Sequence, residues 1–376
     1  MKKLFIIVNL DTFFLSHRKE IALRARQKGF DVTIVAKDTG KGDEIKGLGL
    51  NFINLPINKA GLNLLEELKT FSYLYKLFKK EGPDIVHAVG MKTILWGGLA
   101  MRLSGIKRFV SAVCGLGVMF SPEYNKGLKR ILSQSVLFVM KYIHRNDNTY
   151  CIFHNTEDMQ MFISSKIIDE GHCVRTMGSG IDLKEYSYKP EIEAERLRVL
   201  FTARMVEDKG VLTLIEAANK LRDSYKDRVE FFLCGGLDTN PLAITRERLE
   251  ALCDGTYIKW LGRRDDIQQL LESCHLFAFP SYYKEGLPKS CIEAAAVGRP
   301  IITCDSTGCR DTVIDGKTGF LIPAKDSDAL AEKLRILFDD AALRREMGCN
   351  ARKFAEEKFS IETVVQSHID IYNSIV

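Results

Sequence analysis

Residues 275–293 read HLFAFPSYYKEGLPKSCIE, and this stretch is the most informative one for the fold. It begins with a short apolar run that ends at a proline, a pattern typical of a buried strand. A loop containing Gly and Pro follows and leads into an apolar helix. Glu285 is therefore predicted to lie just beyond the carboxyl end of a strand, and Glu293 on the next helix. In open parallel α/β sheets, ligands bind at this edge.

The rest of the chain repeats the same alternation of apolar strand, loop and helix. In the first half the predicted strands lie near residues 3–9, 31–36, 51–54, 84–87, 108–113 and 149–152, and the helices near 15–28, 62–80, 92–104, 125–145 and 155–165. In the second half the strands lie near 197–202, 229–234, 256–261, 275–279, 300–304 and 319–322, and the helices near 209–223, 243–253, 265–273, 289–297, 326–338 and 341–356. We predict an α/β chain of two Rossmann-like, doubly wound domains, residues 1–180 and 181–358, that face each other across a cleft.

Length and composition agree with a folded chain of two domains. A chain of 376 residues is longer than one ordinary domain, and 46% hydrophobic residues are enough to form buried cores. The ten cysteines are scattered without metal-ligand spacing, which predicts reduced core thiols. The apolar start of the chain is short and predicts a strand rather than a secretion signal. Residues 131–143 are too polar and too short for a membrane span. These features together predict a cytoplasmic protein.

Charge is distributed unevenly along the chain. Residues 1–180 contain 26 Lys and Arg against 16 Asp and Glu, whereas residues 181–376 contain 28 against 33. Two basic amphipathic stretches, 59–80 and 124–145, lie in the first half, and each is also explained by a core-facing helix with a solvated cationic face. Their coincidence favours docking on an anionic membrane surface. Nucleic acid is not expected as a partner, because no aromatic platform accompanies the charge.

Two further segments support a ligand site around the two glutamates. Residues 203–210 read ARMVEDKG and residues 234–241 read CGGLDTNP, and each follows a predicted strand. With Glu285 and Glu293, which have seven residues between them, they resemble the retaining, nucleotide-sugar-dependent glycosyltransferases of the GT-B fold, family 4 type. The CGGLDTNP segment is similar to a branch that extends undecaprenyl-diphosphate-linked saccharides with N-acetylgalactosamine. The spacing of the two glutamates is weak evidence by itself, because the chain has 49 acidic residues. The resemblance is specific because the motifs also lie at the expected places after predicted strands.

The resemblance implies roles for the donor-site residues. Arg204 and Lys209 would neutralise the diphosphate of the leaving group. Glu285 would accept hydrogen bonds from the transferred sugar, and Glu293 from the ribose. The alternative is that Lys209 begins an exposed helix while Arg204 pairs with Glu207.

Further donor contacts are implied by the loops on either side. The amides of Gly286 and Leu287 would lie near the sugar phosphate. Arg263, in a segment that resembles the uracil-contacting segment of the family, and Gly236 would complete the nucleotide site, which favours UDP. The neighbouring Asp265 and Asp266 are interpreted as a helix N-cap and a first-turn acid, without a chemical role.

The first domain is expected to bind the acceptor. Where many relatives have a Gly-Gly loop, this chain has DTFFLSHR at residues 11–18. His17 and its neighbours are candidates for binding the acceptor diphosphate or donor sugar, although His17 equally fits a helix cap. His87 resembles a family histidine but is also explained as a core residue. In CGLG, residues 114–117, Gly115 and Gly117 would let the backbone approach substrate.

The resemblance implies transfer with retention from a UDP-α-sugar to a polyprenyl-diphosphate-linked saccharide, at the inner face of the cytoplasmic membrane. It also implies that the last helix, in residues 359–376, packs back on the first domain. No obligatory metal is expected, because Asp326-Ser327-Asp328 is better explained as a helix start. Neither half opens with the G-x-G-x-x-G of a nicotinamide dehydrogenase. A UDP-N-acetylhexosamine epimerase and a non-catalytic sugar-nucleotide-binding protein stay open as alternatives.

Overall fold

The structure is a computed structural model that describes residues 1–58, 64–116, 127–238 and 242–376. They form two compact units, one of residues 1–179 with 361–376 and the other of residues 180–360. Some predicted features lie outside the described residues: Gly117, the last three residues of CGGLDTNP, and the beginnings of both basic stretches.

In the first unit, the described residues contain a parallel seven-stranded sheet with the order β3-β2-β1-β4-β5-β6-β7. The strands are β1 (Lys2–Leu10), β2 (Phe30–Lys37), β3 (Asn51–Asn54), β4 (Ile85–Val89), β5 (Phe109–Val113), β6 (Thr149–Phe153) and β7 (Cys173–Arg175). The helices are α1 (Asp11–His17), α2 (Lys19–Gln27), α3 (Gly42–Gly47), α4 (Leu64–Glu81), α5 (Met91–Ser104), α6 (Leu128–His144), α7 (Thr156–Ser164) and α14 (Ile361–Ser374).

Both faces of this sheet are covered, which explains why its central strands are apolar without alternation. One apolar cluster joins β1 and β2 to α2 and α14, and the other joins β4 and β5 to α4, α5 and α6. Ile369 and Tyr372 of α14 are almost completely buried in the first cluster. Burial of such side chains stabilises a fold by about 2 kcal/mol each. The last helix is therefore an integral part of the first unit.

The second unit has a parallel six-stranded sheet with the order β10-β9-β8-β11-β12-β13. Its strands are β8 (Leu197–Thr202), β9 (Val229–Cys234), β10 (Ile258–Gly262), β11 (Leu276–Phe279), β12 (Ile301–Cys304) and β13 (Gly319–Ile322). Its helices are α8 (Val211–Tyr225), α9 (Arg246–Leu252), α10 (Ile267–Glu272), α11 (Lys289–Val297), α12 (Ser327–Asp339) and α13 (Ala341–Lys358). The two Rossmann-like α/β units predicted from the sequence are confirmed.

Each sheet has one point where the strand order reverses, and there the loops at the carboxyl edge leave a crevice. In the first unit this point lies between β1 and β4, and in the second between β8 and β11. The loops after β8 and β11 are those that carry ARMVEDKG and YYKEGLP. The strand order therefore brings the two predicted segments to one crevice.

The helix predicted over residues 15–28 differs from the structure in two ways. It begins at Asp11, and it is divided at Arg18, whose φ of −132° and ψ of −3° are not helical. The buried Asp11 carboxylate accepts hydrogen bonds from the Thr39 amide at 2.6 Å and the Lys41 amide at 3.0 Å. Burial works against ionisation of Asp11, but these bonds lower its pKa. The short α3 and β7 were also not predicted.

Gly210 joins the loops after β8 and β11. Its φ is +82°, and a Cβ atom there would overlap the carbonyl oxygen of Pro280. Glycine is therefore required twice, for the left-handed backbone and for the close approach.

Gly210→Ala should lower the free energy of unfolding by several kcal/mol, because backbone overlap adds to the strain of a positive φ. Gly316→Ala is the matched control, since Gly316 has a φ of +71° and a Cβ atom there would meet no described atom within 4 Å. That change should cost about 1 kcal/mol. Urea denaturation of both variants measures the difference, and equal costs would contradict the proposed close packing.

Candidate functional site

The crevice of the second unit is built from three loops that hold one another. The Asp208 carbonyl accepts hydrogen bonds from the amides of Tyr282 and Tyr283, both at 3.0 Å. The loop after β12 joins them, because a Cβ atom on Gly308 would overlap the carbonyls of Glu285 and Gly286. Side chains on these loops are therefore placed by backbone contacts between loops.

Lys209 and Glu285, which lie on two of these loops, form an ion pair. Each side chain is only 12% exposed. The Ser281 hydroxyl donates to Glu285 Oε1 at 3.1 Å, and Lys209 Nζ lies 4.7 Å from the centre of the Tyr283 ring. Lys209 precedes α8 in a short 3₁₀ turn, Glu207–Lys209. The alternative in which Lys209 begins an exposed helix is therefore wrong.

Arg204 lies in the same loop as Lys209, and its side chain is half exposed. Its Nη1 lies 2.5 Å from Asp238 Oδ2, whereas Glu207 pairs with Arg248 at 2.7 Å. The alternative pairing of Arg204 with Glu207 is therefore wrong as well. Asp238, which belongs to the CGGLDTNP segment, was not predicted as a partner.

Glu293 lies on α11 and is buried. Its Oε1 accepts a hydrogen bond from the Tyr186 hydroxyl at 3.2 Å, and Lys289 Nζ lies 3.6 Å away. Burial raises the pKa of the Glu293 carboxyl, although Lys289 and Tyr186 oppose the rise. Tyr186 falls in a stretch that reads as a polar linker, so the sequence contains no pattern that identifies it. Glu293 is thus a buried carboxylate that can accept further hydrogen bonds.

Gly286 and Leu287 are buried in the loop that leads into α11, whose first residue is Lys289. Their amides therefore lie near the positive end of the helix dipole, where an anionic group is favoured. The loop that carries Glu285 also carries these two residues. One loop therefore carries both the Glu285 carboxylate and the backbone amides of Gly286 and Leu287.

Gly236 and Arg263, the residues predicted to contact a base, line the same cavity of about 620 Å³. The Trp260 side chain also lines it and donates through Nε1 to the Gly235 carbonyl at 2.9 Å. Arg263 is 82% exposed, so it is available at the cavity rim. The cavity has the aromatic wall and exposed polar groups that a flat heterocycle needs.

The predicted positions of Asp265 as an N-cap and Asp266 as a first-turn acid are wrong, because α10 begins at Ile267 and Asp266 is its N-cap residue. Asp266 stands before α10, but its side chain makes no capping hydrogen bond. It pairs with Arg264 instead, at 2.7 Å from Oδ1 to Nε. Asp326, by contrast, caps α12 by accepting from the Ala329 amide at 2.8 Å. Its capping role is confirmed.

In the first unit, His17 lies at the end of α1. Its Nδ1 is 2.6 Å from the Ser16 hydroxyl, and its ring stacks on Phe13 with 4.4 Å between centroids. His87 is completely buried, and its Nδ1 lies 2.6 Å from the Tyr372 hydroxyl. Burial holds the pKa of His87 well below its usual range. The structure therefore brings His87 into the core beside α14, and it leaves His17 at the carboxyl edge of the sheet.

Arg18 is the least expected residue of this edge, because it is only 1% exposed. Within the described chain its hydrogen-bond partners are neutral: the His17 carbonyl, Ser179 Oγ, Cys114 Sγ and His154 Nε2. Gly115, which follows Cys114, has a φ of +111°. Among the described residues, Arg18 is therefore a buried cation without an ionic partner, and it contacts the CGLG segment through Cys114. Its charge helps burial to lower the pKa of His154.

Within the described ranges, no group of three or more His, Cys, Asp or Glu side chains is placed to hold a metal ion. In the same part of the chain, all ten cysteines are free, and six of them are buried. The predicted reduced thiols are thus found mainly in the cores.

Comparison with known proteins agrees with this geometry. Residues 183–354 match the family described as glycosyl transferases group 1, and residues 3–146 match the family described as glycosyl transferase 4-like. HepE of Anabaena, solved in complex with UDP, has a TM-score of 0.78 to this chain at 19% identity, with 100% of each chain covered.

Two curated relatives align over nearly the whole chain. One is the N,N'-diacetylbacillosaminyl-diphospho-undecaprenol alpha-1,3-N-acetylgalactosaminyltransferase of Campylobacter jejuni, 29% identical, with 96% of this chain and 98% of the relative covered. The other is the UDP-Gal:alpha-D-GlcNAc-diphosphoundecaprenol alpha-1,3-galactosyltransferase of Escherichia coli, 27% identical, with 92% and 90% covered. A glycosyltransferase family therefore matches each unit, and the chain has the GT-B fold of two Rossmann-like units.

Proposed function

We propose that this protein is a retaining glycosyltransferase that moves a sugar from a UDP-sugar to a polyprenyl-diphosphate-linked saccharide and forms an α-linkage. The observation that carries the proposal is the enclosed Lys209–Glu285 pair at the point where the strand order reverses. A donor with a diphosphate and a sugar offers a partner to each charge. The names of the two curated relatives support the substrate classes.

Lys209 and Arg204 would stabilise the leaving diphosphate. Both lie on the loop after β8, and each is held by a carboxylate, Glu285 for Lys209 and Asp238 for Arg204. Because the cations are already in position, they need little reorganisation when charge develops on the leaving UDP. Removal of one preorganised electrostatic group typically lowers turnover by about 10²–10³.

The acidic residues would orient the remaining parts of the donor. Glu285 would accept from hydroxyls of the transferred sugar while the Gly286 and Leu287 amides approach its phosphate. Glu293 would accept from the ribose hydroxyls. Uracil would occupy the 620 Å³ cavity lined by Gly236 and Arg263. The UDP-bound HepE structure supports a uridine nucleotide.

For the chemical step, we propose front-face transfer. The bond between the sugar anomeric carbon and the UDP oxygen breaks, and its electron pair leaves with UDP. The acceptor hydroxyl attacks the same face, and its proton passes to a diphosphate oxygen. Lys209 and Arg204 supply the positive charge, so no obligatory metal is proposed.

The first unit would supply the acceptor side. His17 and Gly115 lie at the carboxyl edge of its sheet, with the buried Arg18 cation beside them. A positive potential from Arg18 favours a diphosphate nearby. The relatives' lipid-linked substrates support a role in assembling bacterial surface glycans or glycoproteins.

Such an acceptor is embedded in a membrane, and we propose that the first unit docks on its cytoplasmic face. No described helix is long and apolar enough to cross a membrane. The surfaces of α4 and α6 combine exposed Leu68, Ile131 and Phe138 with basic residues, among them Lys76 and Lys141. Apolar side chains flanked by lysines favour binding at an anionic interface.

Glu285→Gln and Lys209→Met should each lower transfer from UDP-sugars to undecaprenyl-diphosphate-linked saccharides by at least about 100-fold, because each removes one preorganised charge. Lys220→Met is the matched control, because it removes a lysine that also forms an ion pair, with Asp328 of α12, but on the exposed side of α8. Product is measured over a panel of UDP-sugars. Unchanged turnover in the first two variants would refute the assigned site.

The same assay also tests metal dependence and the two alternative functions. Transfer should continue in excess EDTA, and complete loss there would overturn the metal-independent step. Epimerised UDP-sugar formed without acceptor would favour an epimerase. UDP binding without either product would favour a binding protein.

Uridine affinity should rise with pH and level off only above the usual titration range of a glutamate, because burial raises the Glu293 pKa and only its ionised form accepts from both ribose hydroxyls. Uridine is the probe because it has no phosphate that titrates in this range. Glu293→Gln should bind more weakly and lose this pH dependence. Tyr186→Phe should move the rise to higher pH, because it removes a hydrogen bond that lowers the pKa. Calorimetric titration measures both effects, and an identical profile in Glu293→Gln would exclude the ribose contact.

The protein should float with liposomes that contain phosphatidylglycerol and bind pure phosphatidylcholine far less. Lys76→Glu combined with Lys141→Glu should weaken binding at least tenfold, because each basic residue near an anionic surface contributes about 1 kcal/mol. Lys353→Glu on the exposed surface of α13 is the matched control. Flotation with neither lipid would rule out the docking surface.

A further inference from the structure

An apolar groove lies on the surface of the first unit, between two of its helices. It has a volume of about 480 Å³ and runs between α5 and α6. Its walls include Leu95 and Leu99 of α5, and Leu132, Val136 and Val139 of α6. Contiguous exposed apolar surface is one mark of a ligand-binding groove or a membrane-interaction site.

The spacing of the wall residues shows how the groove is formed. Leu95 and Leu99 are four residues apart, and Leu132, Val136 and Val139 follow the spacing i, i+4, i+7. Each set therefore occupies one helix face over one to two turns. The two faces form a channel about 10 Å long, from the rise of 1.5 Å per residue.

The groove is polar at one end. There Lys92 Nζ lies 2.5 Å from Glu67 Oε1, and Trp96 Nε1 donates to the other oxygen of Glu67. Lys92 is the second residue of α5, and Glu67 lies in the first turn of α4. Helices that follow parallel strands begin at the carboxyl edge of the sheet. The polar end of the groove therefore lies at the ligand-binding edge, and its apolar part runs away from that edge.

We propose that this groove holds the isoprenoid chain of the acceptor, with the diphosphate at the Lys92 end. The inference rests on the proposed function and deepens it. A polyprenyl diphosphate is apolar along its length and anionic at one end. The groove likewise has apolar walls and, at one end, the Lys92 cation, which a diphosphate would share with Glu67. Apart from Ser135, the wall beyond Trp96 is hydrocarbon, so it offers almost nothing to the polar backbone of a peptide. Exposed Ile131 and Phe138 beside the groove would let a chain enter from a membrane surface.

The protein has its own reporter for this site. It contains two tryptophans, Trp96 in the groove and Trp260 in the second unit. In a Trp260→Phe background, Trp96 is the only tryptophan. Farnesyl diphosphate should shift its fluorescence to shorter wavelength with saturation, because the chain displaces water from the indole, and inorganic diphosphate should not.

Two groove variants test the location in the same background. Leu132→Glu places a charge on the wall, and Ser135→Phe fills the channel, so each should weaken farnesyl diphosphate binding at least tenfold. Leu132 is 39% exposed and Ser135 is exposed, so neither change disturbs the core. Leu103→Ser is the matched control, because Leu103 is on α5 but outside the groove and 50% exposed. Its affinity should stay within twofold.

Three results would overturn the assignment: no saturable shift, equal loss in the groove variants and in Leu103→Ser, or the same shift from phosphatidylglycerol vesicles without isoprenoid. The titration uses no UDP-sugar, so it is independent of transfer. Transfer is measured on the native protein, because Trp260 lines the proposed uracil cavity. Groove binding without transfer by the native protein would support the groove and refute the transferase function. Transfer without groove binding would support the transferase function and refute the groove assignment.

Discussion

The enclosed ion pair between Lys209 and Glu285 is the interaction on which the account of the second unit depends. Two opposite charges held away from water are expensive, and their attraction repays that cost only when each is well placed. Here the Ser281 hydroxyl also contacts Glu285, and the Tyr283 ring lies beside Lys209. The two loops that carry these residues also approach each other closely, since a side chain at Gly210 would overlap the carbonyl oxygen of Pro280. A fold that maintains such a pair has a ligand-ready cation and carboxylate in one crevice.

The two units have similar doubly wound sheets but differ at their crevices. In the first unit, Asp11 uses its carboxylate to hold the loop after β2, and α1 begins where a glycine-rich loop would leave free amides. Its nearby cation, Arg18, is surrounded by neutral groups. The two cations that we propose for diphosphate binding, Arg204 and Lys209, therefore have no counterpart pair among the described residues at the crevice of the first unit. The first unit is distinguished by its apolar helix surfaces and its buried positive charge.

Much of this architecture could be predicted from the sequence, for reasons that are local. Central parallel strands are buried on both faces, so their apolar runs were visible, and the loops after them had to meet at the carboxyl edge. That is why Lys209 and Glu285 were expected to approach one ligand, and the structure places them in contact. Other features depend on partners distant in the chain. The helix start at Asp11 follows from hydrogen bonds to residues about thirty positions away, and the pairing of Glu293 with Tyr186 joins residues 107 apart. The groove between α5 and α6 also requires the packing of two helices and has no sequence motif of its own.

The most direct test of the central claim is a crystal structure of the protein with a non-hydrolysable UDP-sugar. The account predicts that the pair opens, with Lys209 Nζ within hydrogen-bond distance of the diphosphate and the Glu285 carboxylate on a sugar hydroxyl. A bound nucleotide elsewhere, with the Lys209–Glu285 pair still closed, would contradict it.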